Sequence, residues 1–237
     1  MVGELPPQAA ATFVIRIAAI GAEFACVLLL ARLLGVEAYG RFAFAMSLVA
    51  IAVVPAMFGF DRLLIREVAA AQAASAWGSI KGLLLRAAQV TVLASLGIAC
   101  ILILVAGRYR AVDPEMAGAF AFAAALVPVI AFVRLQQAAL QGLGHVPVGL
   151  AAESLVQPLM LAALLLVLVA GGPLQPDSTT ALVLQVCASG TALVVASLLL
   201  HRRRPAPVAV APVHFRGREW LAAGAVFMWL VGMSAAL

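Results

Sequence analysis

Arg16 and Glu23 stand seven residues apart in a stretch that is otherwise almost wholly apolar. On a helix this is two turns along one face, about 10 Å along the axis, too far for a direct ion pair. Each therefore needs its own polar partner, water or ligand. Ionisable groups inside a bilayer are costly and mark cavities, pathways or paired contacts. Arg16 has two open readings: a place on a cavity-facing stripe, or snorkelling from the first turns toward the headgroups. Glu23 sits mid-run, where snorkelling is hard, which favours a cavity or an interhelical contact.

Three further groups carry chemistry-bearing side chains. Arg62 and Arg66 share a helix face at i,i+4, where like charges repel unless an anion lies between them. A diphosphate suits that geometry, because guanidinium forks match phosphate oxygens. The competing reading is a helix end with Asp61 and Glu67 as local counter-ions. Arg134, Gln137 and Gln141 form an i, i+3, i+7 stripe, and Glu153 with Gln157 an i,i+4 pair before Pro158, which should kink its helix. The two stripes either pair, Arg134 with Glu153, or line a surface that touches sugar hydroxyls. Gln185 is a lone polar residue, read as an interhelical hydrogen bond.

Catalytic signatures are absent. The sequence has no hydrolase elbow, P-loop, HExxH or His cluster. His145, His201 and His214 lack acidic neighbours at helical spacing, so an acyl- or glycosyltransferase finds no base and the expectation is a non-enzyme. Cys26, Cys100 and Cys187 lie in apolar runs with no disulfide or metal spacing and read as small buried hydrophobes. No cofactor or metal is expected; coupling to H⁺ or Na⁺ is left open.

The elements that must position these groups follow from composition. Of 237 residues 65% are hydrophobic and 11% charged, with a mean hydropathy of +1.14. Soluble domains carry about a quarter charged residues, so lipid must solvate much of this chain. The expected class is an all-α membrane protein. Six runs reach the roughly 20 residues a crossing needs: 11–34, 42–60, 83–106, 115–138, 149–170 and 178–200. A seventh starts at Trp220. Gly35 and Gly40, Gly107 with Pro114, Gly142 with Gly144 and Pro147, and Gly171-Gly172-Pro173 punctuate them. The expected divisions are a six-helix transmembrane bundle at 1–201, a basic cytoplasmic linker at 202–219, and the start of a seventh helix at 220–237. Trp77, Tyr109, Trp220 and Trp229 read as interfacial anchors.

The net charge of +5 does not point to nucleic acid, because the basic residues sit mostly between apolar runs. With a cytoplasmic N-terminus, Arg16, Arg62, Arg66, Lys81, Arg86, Arg134, Arg202, Arg203, Arg204, Arg216 and Arg218 fall on the inner side. Only Arg32, Arg41, Arg108 and Arg110 fall on the other, which favours N-in.

The segment Ala31-Arg-Leu-Leu-Gly-Val-Glu-Ala-Tyr-Gly-Arg-Phe42 resembles the helix 1–2 turn of polysaccharide biosynthesis flippases, of the multidrug/oligosaccharidyl-lipid/polysaccharide exporter superfamily, approximately A-R-x-L-G-x-x-x-Y-G-x-F. It is also a physical helix stop: Arg32 complements the C-terminal dipole, Gly35 can take a left-handed cap and Gly40 eases the turn. Gly59-Phe-Asp-Arg-Leu-Leu-Ile-Arg-Glu67 resembles the end of helix 2 in that family. Leu140-Gln-Gly-Leu-Gly-His145, followed by Glu153 and Gln157-Pro158-Leu159, resembles its helix 4–5 junction, with His145 where a basic residue is usual. The resemblance implies the N-terminal lobe of a two-lobe transporter of 12–14 helices. Such a protein moves polyprenyl-diphosphate-linked oligosaccharide across the inner membrane for surface polysaccharide or lipopolysaccharide assembly. It also implies substrate contacts at Arg16, Arg62 and Arg66, with the polar groups of helices 4 and 5 second. Expected partners are the lipid-linked oligosaccharide, membrane lipids, and a C-terminal lobe, a second copy or a polymerase or glycosyltransferase. Two alternatives stand beside it: a non-transporting membrane partner or truncated lobe, and a drug or cation exporter of the same superfamily.

Overall fold

The computed structural model describes residues 7–170, 177–212 and 220, all-helical apart from short connections and without a strand among those residues. The expected seventh run beyond Trp220, the Gly171-Gly172-Pro173 connection, and His214, Arg216, Arg218 and Trp229 lie outside the described residues. Among the described residues five helices are long and apolar enough to cross a membrane. Their outward faces carry large apolar side chains, among them Phe13, Phe24, Leu93, Ile103, Val167 and Val194, each more than half exposed. Such a surface belongs in hydrocarbon.

The first helix, α1 (Pro7–Met57), departs from the expected pair of separate helices. Its apolar stretch of 48 residues would extend about 72 Å if straight, more than twice a bilayer core. One residue breaks it: Gly35, at φ 75 and ψ 172. The expected turn over 35–41 is thus a single-residue break, and Gly40 lies within helix. Cys26 and Leu30 before the break share a core with Phe42 and Ala45 after it, so the chain doubles back at Gly35 into two arms.

The second arm ends at Met57, where Phe58 and Gly59 both take positive φ. The segment 60–67, expected as the end of a membrane helix, instead belongs to a separate amphipathic helix, α2 (Phe60–Ala73). Phe60, Leu63, Leu64 and Val68, at i, i+3, i+4 and i+8, form its buried face. Then come α3 (Trp77–Tyr109), α4 (Pro114–Gly142), α5 (Val146–Ser154), α6 (Val156–Ala170), α7 (Ser178–Arg203) and the short α8 (Ala206–Val210).

Helix α4 is the central post. Half of its most apolar window is buried, against 17% for α3. Small residues let its neighbours approach closely: Ala87, Thr91, Ser95 and Ala99 on α3, and Ala181, Ala188, Ala192 and Ala196 on α7, are all buried. Asp113 caps α4, accepting from the backbone N–H groups of Glu115 and Met116 at 3.1 and 3.0 Å. Near the Gly35 end, Arg41 donates to Glu115 and so ties the second arm of α1 to the start of α4.

Asp177 caps α7, accepting from the Thr180 N–H at 2.8 Å. Hydrogen bonds from Thr180 hold its carboxyl below the ordinary value of 3.8. A lowered folded value means that the carboxylate contributes stability above the unfolded value and loses it as pH falls through the folded one. Asp177→Ala is expected to cost about 1 kcal/mol near neutral pH. The deficit relative to wild type, read from thermal unfolding in detergent, should shrink from about pH 5 to about pH 3.

Other expectations are amended. Cys26 is buried, but Cys100 and Cys187 are exposed on the outward faces of α3 and α7. Trp220, expected at an interface, is buried in the main core with Val208 of α8. Within the expected linker, α8 docks on α3, and the Lys81 ammonium donates to the Ala211 carbonyl at 3.2 Å.

Candidate functional site

Charged and amide side chains converge on one cavity of about 460 Å³. Glu23 and Leu30 from the first arm of α1, and Phe42 and Val53 from the second, form one wall. Arg134 of α4, Glu153 and Ser154 of α5, Gln157 of α6 and Gln185 of α7 form the other. Glu23 and Val53 can share a cavity only because of the reversal at Gly35.

The α4–α5 corner is built by close packing. Gly149 lies so near α4 that a β-carbon there would sit 3.1 Å from the Gln137 carbonyl and 3.4 Å from the Gln141 side chain. One turn further along α5, Glu153 reaches the Arg134 Nε at 3.0 Å. The side chains are 42% and 22% exposed, so the pair is half-wet and directional rather than a buried charge cluster. Pro158 has no N–H to offer the Ser154 carbonyl, and the helix breaks three residues earlier, at Leu155 (φ −111, ψ −47). The kink expected at Pro158 therefore falls between α5 and α6, and it turns Ser154 and Gln157 toward the same space.

On the α6–α7 side the Gln157 amide donates to Ser189 Oγ at 3.2 Å. Gln185, expected to make the interhelical bond, makes none among the described residues, although it is only 4% exposed. Its amide faces the cavity.

Of the nine residues expected to meet substrate, the structure brings together Glu23, Arg134, Glu153 and Gln157. Gln137 and Gln141 pack at the α4–α5 contact outside the lining. Arg16 is exposed on the first arm of α1. Arg62 and Arg66 lie on the exposed side of α2, opposite its buried face, with Arg66 3.5 Å from Glu67. Ser154 and Phe42 are lining residues that the polar stripes did not single out; Pro158 was the available signal for Ser154.

A fold in which a broken first helix and a proline-kinked helix enclose a polar cavity is matched by a sequence-level relationship. The sequence profile of the family described as polysaccharide biosynthesis protein matches residues 8–228. The chain belongs to the polysaccharide biosynthesis protein family. No curated protein and no solved structure gives a significant match. For a polysaccharide biosynthesis protein of apolar helices the setting is a membrane.

Among the described residues no group of three or more His, Cys, Asp or Glu side chains could hold a metal ion. The cavity offers hydrogen-bond donors and acceptors and one ion pair.

Proposed function

We propose that this polysaccharide biosynthesis protein is a flippase. It carries a polyprenyl-diphosphate-linked oligosaccharide across the inner membrane by alternating access, and it is not an enzyme. In this reading α1 crosses twice, once per arm, giving six crossings with a cytoplasmic N-terminus, and the six-helix unit forms one lobe of a transporter. The observation that carries the proposal is the cavity itself: Glu23, Arg134 and Glu153 meet amide groups between helices whose outer faces are apolar. Lipid does not solvate such groups, and ionisable side chains inside a membrane bundle mark a pathway, a cavity or a paired contact.

The exposed Arg16, Arg62 and Arg66 belong to the bundle end away from Gly35. There they meet the diphosphate or anionic headgroups, while the polyprenyl chain stays in lipid.

The test is transfer in liposomes holding the complete protein and a polyprenyl-diphosphate disaccharide with a fluorescent sugar. An impermeant quencher reports how much label leaves the outer leaflet. Loss of quenching at least tenfold faster than in protein-free liposomes is expected. A rate equal to the protein-free one sinks the proposal. A second reading, export of an organic cation, draws on Glu23, whose carboxylate has no partner among the described residues. Uptake of a cationic dye with no sugar transfer would select it.

A further inference from the structure

The charge balance of the cavity is the opposite of what a diphosphate needs. Among the described residues its ionisable lining groups are Glu23, Arg134 and Glu153. Arg134 and Glu153 neutralise each other at 3.0 Å. Glu23 is left over, so the described lining carries one formal negative charge. Glu23 is exposed on the cavity side of α1, and a phosphate or a uronate entering there would meet a carboxylate with no paired cation beside it among the described residues, a like-charge repulsion.

The neutral groups point to hydroxyls. Gln185 is nine-tenths buried and its amide, which can donate twice and accept twice, has no partner among the described residues. The amide opens on the cavity, where water or a sugar hydroxyl can pair with it. Gln157 holds Ser189 with its N–H and keeps its carbonyl oxygen to accept. The volume of about 460 Å³ lies in the range of small-molecule sites, about 300–1,000 Å³, and far exceeds the room one bare cation needs. Phe42 supplies an apolar surface for sugar C–H faces.

We infer that this cavity is a saccharide subsite selective by charge: it takes neutral or amine-bearing sugar units, it rejects uronic acids and the diphosphate, and Glu23 sets that selectivity. The inference rests on the flippase reading for the cargo but not for the charge preference. It places the diphosphate outside the cavity, with the arginines of the bundle end.

Binding to the purified full chain in nanodiscs decides it without requiring transport. The probes are the dimers of glucosamine, N-acetylglucosamine and galacturonic acid, with tetramethylammonium as a cation lacking hydroxyls, each followed by saturation-transfer NMR. The glucosamine dimer should bind about tenfold tighter than the galacturonic acid dimer, with the N-acetylglucosamine dimer between them. Glu23→Gln should bring glucosamine down to the N-acetylglucosamine level. Glu23→Lys should reverse the order of the charged dimers. Unfolding temperatures of both variants, measured alongside, separate loss of binding from loss of fold. Galacturonic acid binding as tightly as N-acetylglucosamine overturns the proposal, as does tetramethylammonium binding with no sugar bound, or no probe bound at all. If dimers bind in the expected order but liposomes show no transfer, the flippase reading fails and the charge-selective subsite stands. If transfer is seen equally for uronate and neutral cargo, the reverse holds.

Discussion

Alanine at Gly142 is expected to lower the stability of the bundle by about 1–3 kcal/mol, and leucine there to lower it further. A β-carbon at this position would lie 2.9 Å from the Leu64 carbonyl oxygen and 2.9 Å from the Val68 β-carbon. Neither can swing aside: one is helix backbone, the other the branch point of a side chain with 0% exposure. The intrinsic preference of a helix for alanine over glycine, about 1 kcal/mol in a helix interior, is smaller here because Gly142 is the last residue of α4. The clash therefore wins, and α2 must move off the end of α4. Gly97→Ala is the control, since no atom lies within 4 Å of its β-carbon; it should be neutral or slightly stabilising. Thermal unfolding in detergent gives the energies. Limited trypsin digestion gives the place, because a loosened α2 should be cut at Arg62 or Arg66 before the rest of the chain. A Gly142→Leu protein as stable and as protease-resistant as wild type would mean that α2 is not seated on α4.

The same helix shows what the sequence could and could not convey. The apolar runs were legible because twenty apolar residues in a row have one solvent in which they are stable. The Arg134–Glu153 pair was legible because two polar stripes flank a short glycine-rich turn, which forces their helices to be neighbours. Separation of α2 from α1 was less so: Phe58 takes positive φ without being glycine, and only Gly59 hints at a break. Once α2 is a helix of its own, its four buried residues fix the outward direction of Arg62 and Arg66, and an i,i+4 pair that suits an anion turns away from the cavity. Gln185 and Ser189 illustrate a different limit. They lie one turn apart on one face of α7, and no pattern within α7 says which of them meets Gln157. That depends on how far α6 slides along α7, a tertiary quantity set by packing. The small residues of α3 and α7 were visible as letters, but their role appears only when α4 is seen to lie against both.

Gly35 should tolerate alanine as badly as Gly142 does, for a different reason. Nothing lies within 4 Å of a β-carbon built there, so space is not the obstacle. Its φ of 75 with ψ of 172 is a backbone region open essentially to glycine alone, and a side chain costs about 1–3 kcal/mol there. Asparagine sharpens the test. It rescues left-handed helical positions, where ψ is near +47, but this ψ is far from that value, so Gly35→Asn should be no better than Gly35→Ala. The loss should also change geometry, because this residue lets the two arms share a cavity. Spin labels at Val27→Cys and Ala50→Cys, both lining residues, report it once Cys26, Cys100 and Cys187 are replaced by alanine. A narrow distance distribution with Gly35, broadened or lengthened with alanine or asparagine, is the expected outcome. If asparagine preserves the narrow distribution and alanine does not, the reversal uses a left-handed cap rather than the glycine-only conformation. If all three give the same distribution, the doubling back of α1 is held by packing of the arms alone, and Glu23 keeps its place in the cavity without help from Gly35.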